Sequence, residues 1–171
     1  FAISEMLTQS TLINQIFNRV ALKAVKLPSI DDYKKTWKTI IRSSGIGSFI
    51  GVLPAEGGTV ASLIGYAEAK RWSKKPEDFG KGSIEGIAGA EAANNAATGG
   101  AMVPTLALGI PGSATTAVIL TGLIIHGVRP GPDLFREQPE FLYGIFGSML
   151  IANILFFVLG FFGAKIFARI T

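Results

Sequence analysis

The residues best suited to chemistry lie in uncharged surroundings. Ile110-Pro111-Gly112-Ser113-Ala114-Thr115-Thr116 joins a proline that fixes φ at a helix start, a glycine that lets another group approach the backbone, and a serine that can cap. A helix over residues 113–125 would present free N–H groups and the positive end of its dipole beside the hydroxyls of Ser113, Thr115 and Thr116. That combination receives anions, and discontinuous helices in transporters aim such ends at anionic substrates. The same residues also suit a plain helix cap. Upstream, Glu91, Asn94 and Asn95 supply one carboxylate and two amides. Glu91 and Asn95 are four apart and share a helix face. Their oxygens are hard ligands for Na⁺ or stations for a proton; hydrogen bonding between helices would use them equally. Pro54-Ala55-Glu56-Gly57-Gly58-Thr59 repeats the mixture of Pro, Gly and hydroxyl at a break in a second apolar segment. Paired interruptions of this kind point to a transport site. The candidates for substrate contact are Gly112, Ser113, Thr115, Thr116, Gly57, Gly58, Thr59, Asn94 and Asn95; those for ion coupling are Glu91, Asn95 and Glu56.

Other chemistry finds little to work with. His126 is the single histidine and cysteine is absent. No nucleophile–base set can be assembled around one lone imidazole, and neither a thiolate nor a multi-histidine metal site can form. The reading is non-enzymatic and calls for no cofactor, with Na⁺ or H⁺ open as a coupling ion.

The elements holding these residues are shaped by where charge is missing. Of 171 residues, 49% are hydrophobic and 16% charged, against about 25% charged in an average globular domain. Residues 43–67 carry only Glu56, residues 83–128 only Glu85 and Glu91, and residues 141–164 no charge. Most of the Lys and Arg residues fall between these stretches, at 19–42, 70–81, and at Lys165 and Arg169. A soluble surface helix alternates charge every turn; clusters flanking uncharged stretches are the positive-inside pattern of a membrane protein. Nucleic acid is excluded as a partner, because the basic clusters are not interleaved with stacking aromatics.

Residues 1–27 have amphipathic helical spacing through Leu7, Leu12, Ile16 and Val20. Ser29 or Asp31 is placed to cap a short basic helix over 33–42, whose Tyr33 and Trp37 suit a membrane interface. Each half of 43–67 has about ten residues, where a crossing needs about twenty. With Lys and Arg on both flanks, the segment is expected to enter and return on one side as a re-entrant hairpin with its tip at 54–59; one kinked spanning helix is the alternative. Residues 68–82 read as a polar loop turning at Pro76. Residues 83–127 are too long for one straight crossing and hold several breakers, so two or three helical pieces joined by unwound backbone are expected. Such backbone is tolerated at membrane depth only when buried in protein or lining a cavity. Residues 126–140 form a Pro/Gly-rich loop suited to the outer face, and 141–167 run long enough to span. The expected division is an interfacial segment over 1–42 and a transmembrane transport region over 43–171. The chain opens on Phe1 with no signal-peptide pattern, so an internal piece of a longer protein is expected.

The chain resembles the large membrane subunit of the tripartite tricarboxylate transporter family from about Gly45 onward. The resemblance is carried by Gly51-Val52-Leu53-Pro54 with Gly57; by the run from Lys74-Lys75-Pro76-Glu77-Asp78-Phe79-Gly80 through Gly82 to Glu85-Gly86; by Glu91 through Asn95; by Pro104-Thr105-Leu106-Ala107-Leu108-Gly109-Ile110-Pro111-Gly112-Ser113; and by His126-Gly127 with Pro130-Gly131-Pro132. It implies an all-α membrane protein with discontinuous transmembrane helices, of which this chain is one repeat-like half. It implies carboxylate import across the bacterial inner membrane by a multi-pass secondary transporter driven by a cation gradient. A small membrane subunit and a periplasmic solute-binding protein are the implied partners. The family usually reads Leu-Pro-Gly at the first break, where this chain has Pro54-Ala55-Glu56. That departure implies a changed substrate or coupling ion, or a degenerate copy. A membrane scaffold is the competing reading, and the two Pro/Gly breaks oppose it.

Overall fold

A computed structural model describes residues 27–54 and 57–167. The expected helix over 1–27 lies, save for Leu27, outside the described residues, as do Ala55 and Glu56. Every regular element described is helical: α1 Ile30–Val52, α2 Gly57–Trp72, a single 3₁₀ turn Pro76–Asp78, α3 Ile84–Leu108, α4 Ala114–Ile125, α5 Pro132–Glu137 and α6 Pro139–Phe167. Residues 27–152 form one compact unit, and the described residues after 152 fall in a second. In the second, residues 153–167 are the latter part of α6.

Ser29 is the cap of α1. Its hydroxyl accepts from the Asp32 N–H, and the Asp32 carboxylate accepts from the Ser29 N–H at 2.9 Å and hydroxyl at 2.7 Å. Those two bonds, hydroxyl first, hold the Asp32 carboxyl below its ordinary range. The helix then runs without interruption to Val52. The separate helix expected over 33–42 is therefore the first half of α1: charge ends at Arg42, but no Pro stops the backbone there, and Ser43, Ser44 and Gly45 continue the helix. Leu53 is extended, and Pro54 follows.

α1 and α3 run parallel, with α2 antiparallel to both. Thr39 lies beside Glu85, Gly47 beside Ala93 and Gly51 beside Ala97; Gly65 and Ala69 of α2 meet Gly89 of α3. The contacts are made by small residues four apart: Ser43, Gly47 and Gly51 on α1, Ala61, Gly65 and Ala69 on α2, and Gly89, Ala93, Ala97 and Ala101 on α3, all buried. Where lipid surrounds helices, no hydrophobic gain favours their association, and close backbone approach through small residues supplies the attraction instead. A Cβ at Gly65 would fall 2.5 Å from the Gly89 carbonyl oxygen, so the fit leaves no room for one. The Ser43 hydroxyl, fully buried in this seam, has no hydrogen-bond partner among the described residues.

α3 ends where Gly109 takes a left-handed conformation, φ 69°, which glycine adopts without penalty. The stretch expected to break into pieces is thus two helices joined at 109–113. Around the end of α3 a separate cluster packs Met102 and Leu106 with Leu123, Val128, Leu134 and Leu142. The expected loop over 126–140 contains the short α5, begun by Pro132, since proline suits a first helical position. In α6, residues 139–164 are long and apolar enough to cross a membrane, and Phe156, Leu159 and Phe162 are exposed.

Candidate functional site

The second break begins α4. Ser113 is its cap, with the Thr116 N–H donating to the Ser113 hydroxyl at 3.2 Å and the Ser113 N–H donating to Thr116 Oγ1 at 2.9 Å. Thr116 is buried, so its hydroxyl holds the cap. Thr115 is exposed. The Ala114 and Thr115 amides have no acceptor among the described residues; they are the unsatisfied N–H groups that a helix start presents. Gly112 is buried, and a Cβ there would lie 2.9 Å from Ala101 Cβ and 3.1 Å from the Gly51 carbonyl oxygen. The bare face of this glycine is filled by α3 and the end of α1.

The first break lies beside it. Gly51 is three residues before Pro54, so the two interruptions adjoin. Gly57, with φ 63°, and Gly58 start α2. Gly58 faces the Asn94 side-chain oxygen so closely that a Cβ would overlap it. Thr59 is exposed, and its carbonyl accepts from Ser62 at 2.9 Å. Asn94 and Ala101 are seven residues apart on α3, hence on one face and about 10 Å apart along the axis. The starts of α2 and α4 therefore rest on the same face of one helix, two turns apart, with Gly51 between them at Ala97.

The remaining candidates divide differently. Asn95 donates to the Glu91 backbone carbonyl at 2.9 Å, and its amide does not reach the Glu91 carboxylate. Asn95 and Glu91 are exposed; Glu91, three residues before Asn94 and four before Asn95, neighbours both on the helix surface. Glu56 is outside the described residues. His126 caps the end of α4, with Nδ1 2.8 Å from the Gly122 carbonyl oxygen. Asn94, Thr59 and Thr115 are all exposed, so this chain supplies one open side of any site. The supporting residues Gly51, Ala97 and Ala101 are not among the sequence candidates; the four-residue spacing of small side chains is the signal that points to them. A cleft of about 810 Å³ lies elsewhere, between Asp32 and Arg42 of α1 and Trp72 to Glu85, and none of the candidates lines it.

Helices joined through small residues, broken by Pro and Gly, and followed by one exposed helix long and apolar enough to cross a membrane fit a membrane protein. All 171 residues match the model of the tripartite tricarboxylate transporter TctA family, and the chain belongs to that family. That family is membrane-embedded. The chain is 44% identical over 131 residues to an uncharacterized 52.8 kDa protein in the TAR-I ttuC' 3' region of Agrobacterium vitis, covering 77% of this chain and 26% of that protein. It is 46% identical over 113 residues to an uncharacterized protein in the TAR-II ttuC' 3' region of the same organism, covering 66% of this chain and 47% of that one. The chain thus spans about a quarter of one relative and about half of the other. No solved structure matches.

Proposed function

We propose that this chain forms one wall of the substrate path in a secondary transporter that imports tricarboxylates or related organic acids across the bacterial inner membrane. Import is driven by a cation gradient, with Na⁺ or H⁺ as the coupled ion. A periplasmic solute-binding protein delivers the substrate, and a small membrane subunit completes the complex. Residues 1–42 are the interfacial segment and 43–171 the transport region of a repeat-like half, with α1 and α2 entering and returning on one side.

One observation carries this reading: the starts of α2 and α4, each made at a Pro/Gly break, sit on a common face of α3 at Asn94 and Ala101. Residues 83–128 contain no Lys or Arg, so a carboxylate there must be met by dipoles, hydroxyls or a co-bound cation. The free amides at Ala114 and Thr115 supply the dipole, Ser113 and Thr115 the hydroxyls, and Asn94 with Gly57, Gly58 and Thr59 the opposite edge. Thr116 acts through the cap it forms with Ser113. Glu91, Asn95 and Glu56 stand as the ion-coupling set. The full-length transporter in proteoliposomes tests this: labelled tricarboxylate should accumulate under an imposed Na⁺ or pH gradient and fail to do so without one. Equal accumulation with and without a gradient, or none in the presence of the cognate binding protein, overturns it.

A further inference from the structure

The large cleft away from the breaks has its own chemistry. It lies between the first half of α1, the end of α2, the 3₁₀ turn and the start of α3, and seven basic side chains line it against three acidic ones. The acids are largely engaged. Asp32 closes the cap of α1 with Ser29, and Glu85 accepts from the Thr39 and Ser73 hydroxyls. The bases are less so: Lys34 pairs with Asp31, Lys35 acts on the Asp32 charge and Lys38 lies over the Trp37 ring, but Lys35, Lys38, Arg42, Lys74, Lys75 and Lys81 form no ion pair among the described residues. The Arg42 guanidinium lies 5.3 Å from the Trp72 ring centre, with Nε buried and unpartnered among the described residues. Trp37 and Trp72, both in the cleft lining, are 50% and 63% exposed.

We infer that this cleft binds the phosphate headgroup of an anionic phospholipid. Mutual repulsion among unpaired cations around a concavity is relieved by a bound anion. The Arg42 guanidinium already has its ring partner and is preorganised to present its remaining N–H groups. Exposed tryptophans mark the depth of the headgroup layer. Basic pockets between helices on the positively charged side of a membrane protein recognise anionic headgroups, and 810 Å³ is ample for one. The inference rests on membrane embedding alone and does not depend on what the transporter carries.

The test uses purified full-length transporter in neutral detergent and titrates it with phosphatidylglycerol, phosphatidylcholine or inorganic phosphate, read by native mass spectrometry. Phosphatidylglycerol should be retained in preference to phosphatidylcholine, and millimolar phosphate should not displace it. The variant K38Q/K74Q/K75Q/K81Q should lose about tenfold or more in retention, while R129Q/R136Q, outside the cleft, should match the parent. Unchanged retention in the fourfold variant overturns the inference. Displacement of the lipid by phosphate assigns the cleft to a soluble anion and overturns it too. Should the fourfold variant fail to fold, Lys75→Cys carrying a photocrosslinker replaces it: crosslinks should favour phosphatidylglycerol, and equal labelling of phosphatidylcholine contradicts the assignment.

Discussion

At the scale of single residues, glycine and serine decide the fit of the bundle. Gly47 faces the Ala93 carbonyl with no space for a side chain, while a Cβ at Gly45 or Gly99 would meet nothing within 4 Å. Gly47→Val should therefore cost about 3 kcal/mol or more through overpacking, seen as a lower melting temperature of the purified protein. Gly45→Ala and Gly99→Ala should be neutral or stabilising by up to about 1 kcal/mol, because glycine is a poor helix former; equal destabilisation by all three would mean that the seam is not the determinant. Ser43 makes a second case. Its hydroxyl is buried with no partner among the described residues, so Ser43→Ala should be neutral or stabilise by up to about 1–3 kcal/mol of relieved desolvation, read as an unchanged or higher melting temperature. A clear fall would reveal a partner supplied from outside this chain. The capping roles of Ser29 and Ser113 are legible from the sequence because their partners are local, three residues on. The fit at Gly112 is legible only as permission for close approach: that its neighbours are Ala101 and Gly51 depends on packing between elements far apart in the chain.

At the scale of elements, only some breakers act as the sequence suggests: α3 runs through Asn94-Asn95, Gly99-Gly100 and Pro104 and stops at Gly109. The unwound stretch at 109–113 follows from Pro and Gly, and the length of α6 from an uninterrupted apolar run. The boundary expected at Arg42 is a change of charge with no change of backbone preference, and the helix runs through it. Pro132, inside an apparent loop, starts α5 instead. The four-residue spacing of small side chains is hidden inside general apolarity, since Gly and Ala in a membrane stretch look alike whichever way they face. The cap of α4 gives an element-scale test. Ser113→Ala should destabilise the start of that helix by about 0.5–2 kcal/mol, and Ser113→Thr should retain most of the capping. Hydrogen exchange at Thr116 and Ala117 reads it, and unchanged protection in the alanine variant would show the cap to be unimportant.

At the scale of the whole molecule, the arrangement puts the charged ends of α1 and α2 together at the basic cleft and the two breaks together at the far ends of those helices. The topology proposed from this has Lys75 on the inner side and Arg136 on the outer. As this chain has no cysteine, Lys75→Cys and Arg136→Cys in an otherwise cysteine-free full-length transporter can be probed with an impermeant thiol reagent on intact cells. Position 136 should label and position 75 should not; labelling of 75 from outside would invert the scheme. The central claim is that the carboxylate is held by the start of α4 and not by a cationic side chain of this region. Uptake of labelled tricarboxylate by cells expressing the full-length transporter, normalised to membrane abundance, tests it most directly. Ser113→Ala should raise the apparent KM by about fivefold to 150-fold, matching about 1–3 kcal/mol for a lost donor, and Gly112→Val, whose side chain would collide with Ala101 and the Gly51 carbonyl, should abolish uptake by displacing the start of α4. Near-normal uptake by both variants would contradict the account and show that the anion is held elsewhere.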